Sequence, residues 1–347
     1  ETMNQYNFFD KILHEQFLGN NSLSNFFYER ILNKSSNQNQ IIKSNNIFIT
    51  GLARAGTTAL LNRLYATEEL GSFLYKFMPF ILLPGLAKIA SRSKNNIATQ
   101  ERFHSDGIKI NLNSPECLDE VFWIKSFSND YDMEFLKPTA VSNETLKAYN
   151  YLIEEFKLIQ GKKRMLIKNN NNHLRLRSFL EFFSDSYFIF IYRDPIQHAN
   201  SLLEQHFNFI NLQRKDKFIL NYMNLIGHFE FGAGVKSFTY KVNEFEFYKK
   251  NKLNINYWLN QWIKTHEWLL EENFINYSNF ILISYEDLCD DEMNLYEKLC
   301  EQVKISNFRS GLPFKSSNNR NNFKDIDNKL LNISGKLYSQ LKSISFK

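Results

Sequence analysis

Glycine and proline are scarce in this chain, 12 and 6 of 347 residues, which excludes collagen-like, linker-rich and low-complexity architectures. Cysteine is scarcer still. Cys117, Cys289 and Cys300 form no C-x-x-C pair and no secreted disulfide framework, which argues against structural zinc and for a reducing compartment. No apolar run is long enough to span a bilayer, and the longest patch, Phe77 to Ala87, is broken by Pro79 and Pro84. No signal-peptide pattern opens the sequence. The expected location is cytoplasmic, with a removed upstream targeting or anchor segment left open because the sequence begins with Glu. An excess of one charge sign is missing too. The net charge is +5 with both signs interspersed, and no dense Arg/Lys stripe with interleaved aromatics occurs, so no nucleic-acid partner is expected. The seven His show no metal-ligand spacing, and no metal is expected.

What is abundant is aromatic: 33 Phe and 17 Tyr in a chain that is 43% hydrophobic, enough for a sizeable core. The chain is organised around residues 45–65, NNIFITGLARAGTTALLNRLY. Ile47-Phe48-Ile49 reads as a buried strand, Gly51 to Thr58 as a turn with two glycines and two hydroxyls, and Ala59, Leu60, Leu61 and Leu64 as a helix. Strand, glycine-bearing turn and helix together cradle an anion on backbone N–H groups and the positive end of the helix dipole. Gly51 and Gly56 keep the spacing of the nucleoside-triphosphate loop, but Thr57 stands where that loop has Lys, and a cation sits inside the turn at Arg54. A triphosphate with magnesium is therefore disfavoured, and a single 5′-phosphate carrying a transferable group is favoured. A kinase or NTPase, and a non-catalytic nucleotide-binding protein, remain the competing classes.

A second unit has the same layout. Tyr187 to Tyr192, YFIFIY, is a strand that ends in Arg193-Asp194-Pro195, with a helix after it. Asp194 suits the cap and Pro195 the first turn. GLARAGTT resembles the 5′-phosphosulfate loop of sulfotransferases that use 3′-phosphoadenosine 5′-phosphosulfate (PAPS), and Arg193 with Ser201, eight residues on, resembles their 3′-phosphate motif. The likeness covers about residues 45–290. It implies an α/β fold: three-layer, P-loop-like, with a central mostly parallel sheet and helical insertions covering the substrate side. It also implies in-line transfer of a sulfuryl group from PAPS to an acceptor hydroxyl or amine, with PAP (adenosine 3′,5′-bisphosphate) as product. Arg54, Ala55, Gly56, Thr57 and Thr58 would hold the phosphosulfate, and Arg193 and Ser201 the 3′-phosphate. Lys315 and Arg320, in a late basic segment, would close over that phosphate. An arginine fork suits this task because it donates two hydrogen bonds to phosphate oxygens.

The remaining chain supplies the catalytic candidates. Lys168 ends the strand Met165-Leu166-Ile167 where open α/β sheets bind ligands, and with Arg54 it would stabilise charge on the departing oxygen. The Asn169 to Asn172 run departs from the family's wording after that Lys. The polar stretch 101–125 is expected to furnish the base: His104 first, because its pKa lies near neutrality, then Asp106, then Glu116. Ser114-Pro115-Glu116 reads as a helix start that puts Glu116 and Glu120 on one face. His228 and Glu230, within HFEFGAG, read as structural polar groups. The expected layout is an N-terminal helical arm at 1–40 and a sulfotransferase domain at 41–347, with helical caps at about 73–160 and 204–250. The acceptor is expected to be a small molecule, a glycan or a lipid; a homodimer is left open.

Overall fold

The structure, a computed structural model, describes residues 12–37, 45–92, 100–101, 109–131, 133–241, 251–308, 311–315 and 326–347. Four strands form the central sheet: β1 (Ile47–Thr50), β2 (Leu166–Lys168), β3 (Tyr187–Tyr192) and β4 (Phe280–Ser284). All pairings are parallel, in the spatial order β2-β1-β3-β4. The strands read as continuous apolar runs rather than alternating ones because both faces are covered. Along one face Ile47, Ile49, Ile189, Ile191 and Ile283 share a core with Leu60, Leu61 and Leu64. On the other, Phe48, Ile167, Phe188 and Phe190 join a larger, aromatic-rich core. There Phe48 stacks on Phe188 with ring centroids 4.8 Å apart. The fold is a three-layer α/β sandwich, as expected.

The main helices are α1 (Asn21–Ser36), α2 (Thr57–Tyr65), α3 (Asn143–Gln160), α4 (Pro195–Lys215), α5 (Ile255–Glu271), α6 (Glu292–Gln302) and α7 (Asn328–Ile344). Their starts follow capping chemistry. Asn20 accepts from the Leu23 amide, Ser142 from Thr145, and Asp194 from both Ile196 and Gln197 with Pro195 in the first turn. The N-terminal arm packs on α3, with Leu18 and Ile31 inside the main core. The Trp258-Trp262-His266 stripe of α5 is buried, with His266 edge-on to Phe190 and Tyr192 of β3, so it is core packing, as its spacing suggests. No helix among the described residues is long and apolar enough to cross a membrane.

Two local expectations fail. No helix starts at Ser114-Pro115. Pro115 bridges to Leu74, the Glu116 amide bonds the Phe73 carbonyl at 3.1 Å, and the helix opens only at Glu120 with Asp119 as its N-cap. Glu116 and Glu120 therefore share no helix face: pairing to the 73–75 segment and a salt bridge to Lys168 hold Glu116 in extended chain. Helix α4 also runs through position 204 without a break, so the segment expected as a separate cap begins as a continuation of the helix after Arg193-Asp194-Pro195.

Candidate active site

The turn after β1 is built for close approach. Gly51 has φ +133°, and a Cβ there would lie 2.3 Å from the Ile191 carbonyl oxygen. Gly56 has φ +102°, and a Cβ there would lie 2.2 Å from the Tyr285 ring. Between them Arg54 takes the left-handed conformation at φ 70°. Gly56 is also the N-cap of α2 and offers no side-chain cap, so the helix's first N–H groups face the turn. Thr57 and Thr58 open that helix, and Ala55 is fully buried beneath the turn.

Three cations stand at the ends of three adjacent strands. Lys168 ends β2 and pairs in register with Ile49 of β1. Arg54 leaves the turn after β1, and Arg193 follows β3 directly. The two sequence motifs touch: Arg54 Nε donates to Ser201 Oγ of α4 at 3.2 Å. A second tie binds turn to helix, since His198 Nε2 lies 2.8 Å from the Ala53 carbonyl. Burial pushes His198 down to about 3, so its imidazole is neutral and donates that bond. The Arg193 side chain is 10% exposed; it donates to Gln197 Oε1 at 3.3 Å and stands 3.9 Å from Glu286 Oε1. Its guanidinium lies 5.9 Å from the centre of the Tyr285 ring. The same tyrosine donates to the Lys315 carbonyl at 3.0 Å, which brings the start of the late basic segment beside the turn. Arg320 lies outside the described residues.

Opposite Arg193 the site is acidic. Lys168 Nζ and Glu116 Oε1 form a salt bridge of 2.9 Å, with side chains 6% and 5% exposed. The Asn run is buried in the next shell of contacts. Asn169 donates to Asp119 and to Glu120, Asn171 donates to Glu120, and Arg175 bonds Glu120 at 2.7 Å while covering the Trp123 ring. Tyr149 donates to Asp119 at 2.6 Å. Burial raises Asp119 to about 6 against these bonds. Asn170 faces the turn instead: its Oδ1 accepts from Thr57 Oγ1 at 3.2 Å and its Nδ2 donates to Glu230 Oε1 at 3.0 Å. His104 and Asp106 lie outside the described residues. Glu116, the third candidate base, is committed to Lys168.

Sequence reasoning read Glu230 as structural and gave Asn170 no role beyond a polar run. The only local signal for Asn170 was its place two residues after a strand-ending Lys. For Glu230 it was the glycine turn around it.

The model of the Sulfotransferase family matches residues 46–219, half of the chain, and spans both motifs. No curated protein sequence matches. Among solved structures, sulfotransferase STF1 from Mycobacterium tuberculosis H37Rv superposes over 97% of this chain and 85% of its own, at 11% identity and TM-score 0.51. Sulfotransferase STF9 from Mycobacterium avium covers 96% and 75%, at 14% identity and TM-score 0.42. The sulfotransferase domain from the curacin biosynthetic pathway covers 86% and 98%, at 14% identity and TM-score 0.39. With a parallel sheet carrying the glycine turn and Arg193 on adjacent strands and the family model running across them, this chain belongs to the sulfotransferase family.

Proposed function

We propose that this sulfotransferase draws its sulfuryl group from PAPS and passes it to an acceptor hydroxyl or amine on a small molecule, glycan or lipid, releasing PAP. The observation that carries the donor assignment is the Arg54–Ser201 contact. It joins the glycine turn to the helix behind Arg193, so that two anion-binding elements form one surface at the ends of β1 and β3. The chain's residues fit such a donor. A glycine-capped helix start without a side-chain cap suits a phosphosulfate, and a nearly buried arginine at the end of β3 suits a second phosphate.

In this reading the N–H groups at Gly56 to Thr58 and the Thr58 hydroxyl bind the phosphosulfate, and Arg193 with Ser201 binds the 3′-phosphate. The donor supplies an electrophilic sulfur and a phosphate leaving group. Arg54 and Lys168 stabilise negative charge on the oxygen that leaves, the usual work of fixed cations in group transfer through a loose transition state. Glu116 holds Lys168 in place rather than receiving a proton. His104 and Asp106, the bases expected from sequence, lie outside the described residues.

The test is twofold. Isothermal titration should show PAP binding more tightly than ATP, and Arg193→Ala should weaken PAP by about 1.5–3 kcal/mol, the order for a hydrogen bond to a charged group. ³⁵S-labelled PAPS should then deliver label to at least one member of a panel of phenols, alcohols and amines. Preference for ATP would indicate a kinase-like enzyme. PAP binding without label transfer or hydrolysis would indicate a binding protein.

A further inference from the structure

Resting on that reading, we infer that Glu230 is a catalytic residue: the carboxylate that takes the proton from the acceptor. Among the described residues the other carboxylates at the strand ends are occupied, Asp194 by its own helix cap. Glu116 pairs with Lys168. Asp119 and Glu120 are fully buried among Tyr149, Asn169, Asn171 and Arg175. Glu286 accepts from the Asp194 amide, from Ser284 and from Tyr338. Glu230 differs. It is half-buried, its Oε1 accepts from Asn170 Nδ2 at 3.0 Å, and its Oε2 has no hydrogen-bond partner among the described residues. Through one amide it is joined to Thr57, the first residue of the helix at the glycine turn. A group meant to meet the acceptor beside the transferable sulfur needs this combination of anchorage at the turn and one oxygen left over.

The segment carrying Glu230 is held firmly. Phe231 is buried and stacks on Phe209 of α4, with centroids 5.9 Å apart. Phe229 packs against Tyr131 and lies under the Lys236 ammonium. His228 Nε2 bonds the Cys117 carbonyl at 2.9 Å, and the Gly232 amide bonds His206 Nδ1. Anchors on both sides of Glu230 fix its reach. The step balances as follows. The acceptor oxygen or nitrogen forms a bond to sulfur while the bond from sulfur to the bridging phosphate oxygen breaks. Its electron pair leaves with the phosphate, the acceptor's proton moves to Glu230 Oε2, and the proton later passes to water.

The discriminating variant is Glu230→Gln, which keeps an oxygen for Asn170 but cannot take a proton. Full-length protein would be assayed with ³⁵S-PAPS against phenols, alcohols and amines, with hydrolysis to free sulfate counted as transfer to water. PAP affinity would be measured on the same preparations. The expected result is PAP affinity within threefold of the parent, kcat lowered 10²–10⁴-fold, and loss of the acidic limb of the pH–kcat profile. Asn170→Ala should instead raise the KM for PAPS and keep that limb. A Glu230→Gln enzyme with kcat within threefold of the parent, or with its acidic limb intact, overturns the assignment. So does an intact limb combined with loss of turnover in His104→Ala, which would make the histidine the base. If the parent protein neither binds PAP nor releases label, the donor assignment has failed instead, and that outcome is read before any variant is compared.

Discussion

Removing the Glu116 carboxylate separates the stability of the site from its chemistry. Glu116 and Lys168 meet at 2.9 Å with side chains 5% and 6% exposed. At an effective dielectric of about 20, unit charges at that distance attract by about 6 kcal/mol. Desolvating two ions costs several kcal/mol each, so the intact pair is close to neutral compared with an apolar pair of similar volume. Cutting away one partner is another matter, because the other stays buried without its counter-charge. Glu116→Ala should therefore cost about 3–5 kcal/mol of unfolding free energy, and Lys168→Met a similar amount. The double variant Glu116→Ala with Lys168→Met should cost less than the sum of the single losses by at least about 2 kcal/mol. Urea unfolding followed by tryptophan fluorescence measures all three, with the slope checked for constancy. The ligand response supplies the second half. Glu116→Ala releases Lys168 toward a bound anion, so PAP affinity should hold or rise while stability falls. Single losses under about 1 kcal/mol, or strict additivity in the double variant, would refute the claim that burial makes this pair interdependent.

Two other perturbations test the turn and the buried acid cluster. Gly56→Ala forces a Cβ to within 2.2 Å of the Tyr285 ring at a backbone conformation that costs a side-chain-bearing residue about 1–2 kcal/mol; PAP titration should show a loss of at least tenfold, partly restored by Tyr285→Leu. Asp119 has its folded-state value raised by burial from 3.8 to about 6, so the folded protein holds its proton more tightly than the unfolded chain does. Its contribution is fully present below about pH 4 and is lost as the pH rises to about 6, on the order of 3 kcal/mol over the window. Asp119→Asn should flatten that fall relative to the parent in unfolding curves taken from pH 4 to 7; parallel pH profiles would show that the carboxyl titrates normally.

Much of the frame was legible because it rests on local signals. YFIFIY is a strand in any buried setting, and helix α3 runs from the Ser142 cap to the left-handed Gly161. Arg193-Asp194-Pro195 carries its own helix start in the Asp194 cap. What misled was chemistry whose partners are distant in sequence. Ser114-Pro115-Glu116 has the wording of a helix start, yet its backbone pairs with residues 73–75 and its carboxylate with Lys168, 52 positions away. Asn169 to Asn172 are uniformly polar yet all four are buried, and Asp119, Glu120 and Glu230 accept from the amides of Asn169, Asn170 and Asn171 out of other segments. Local polarity gives no warning of that. A buried amide and a surface amide look alike in a sequence.

The order of the strands suits the two-ended ligand proposed above. From β1 the chain crosses to β2 on one side, then returns past β1 to β3 on the other. The direction of winding reverses at β1, and in open parallel sheets the crevice lies outside the carboxyl ends of the strands at such a reversal. The strands that carry Lys168 and Arg193 lie two strand spacings apart, about 10 Å, with the glycine turn between them and Arg193 four residues beyond the level of Lys168. That span is the scale of a nucleoside with a phosphate at each end. A ligand with a single phosphate can use only one side of the crevice. Losing Arg193 should therefore erase the preference for the bisphosphate over its 5′-monophosphate while leaving the affinity for the monophosphate nearly unchanged, a selectivity that general loss of folding would not produce.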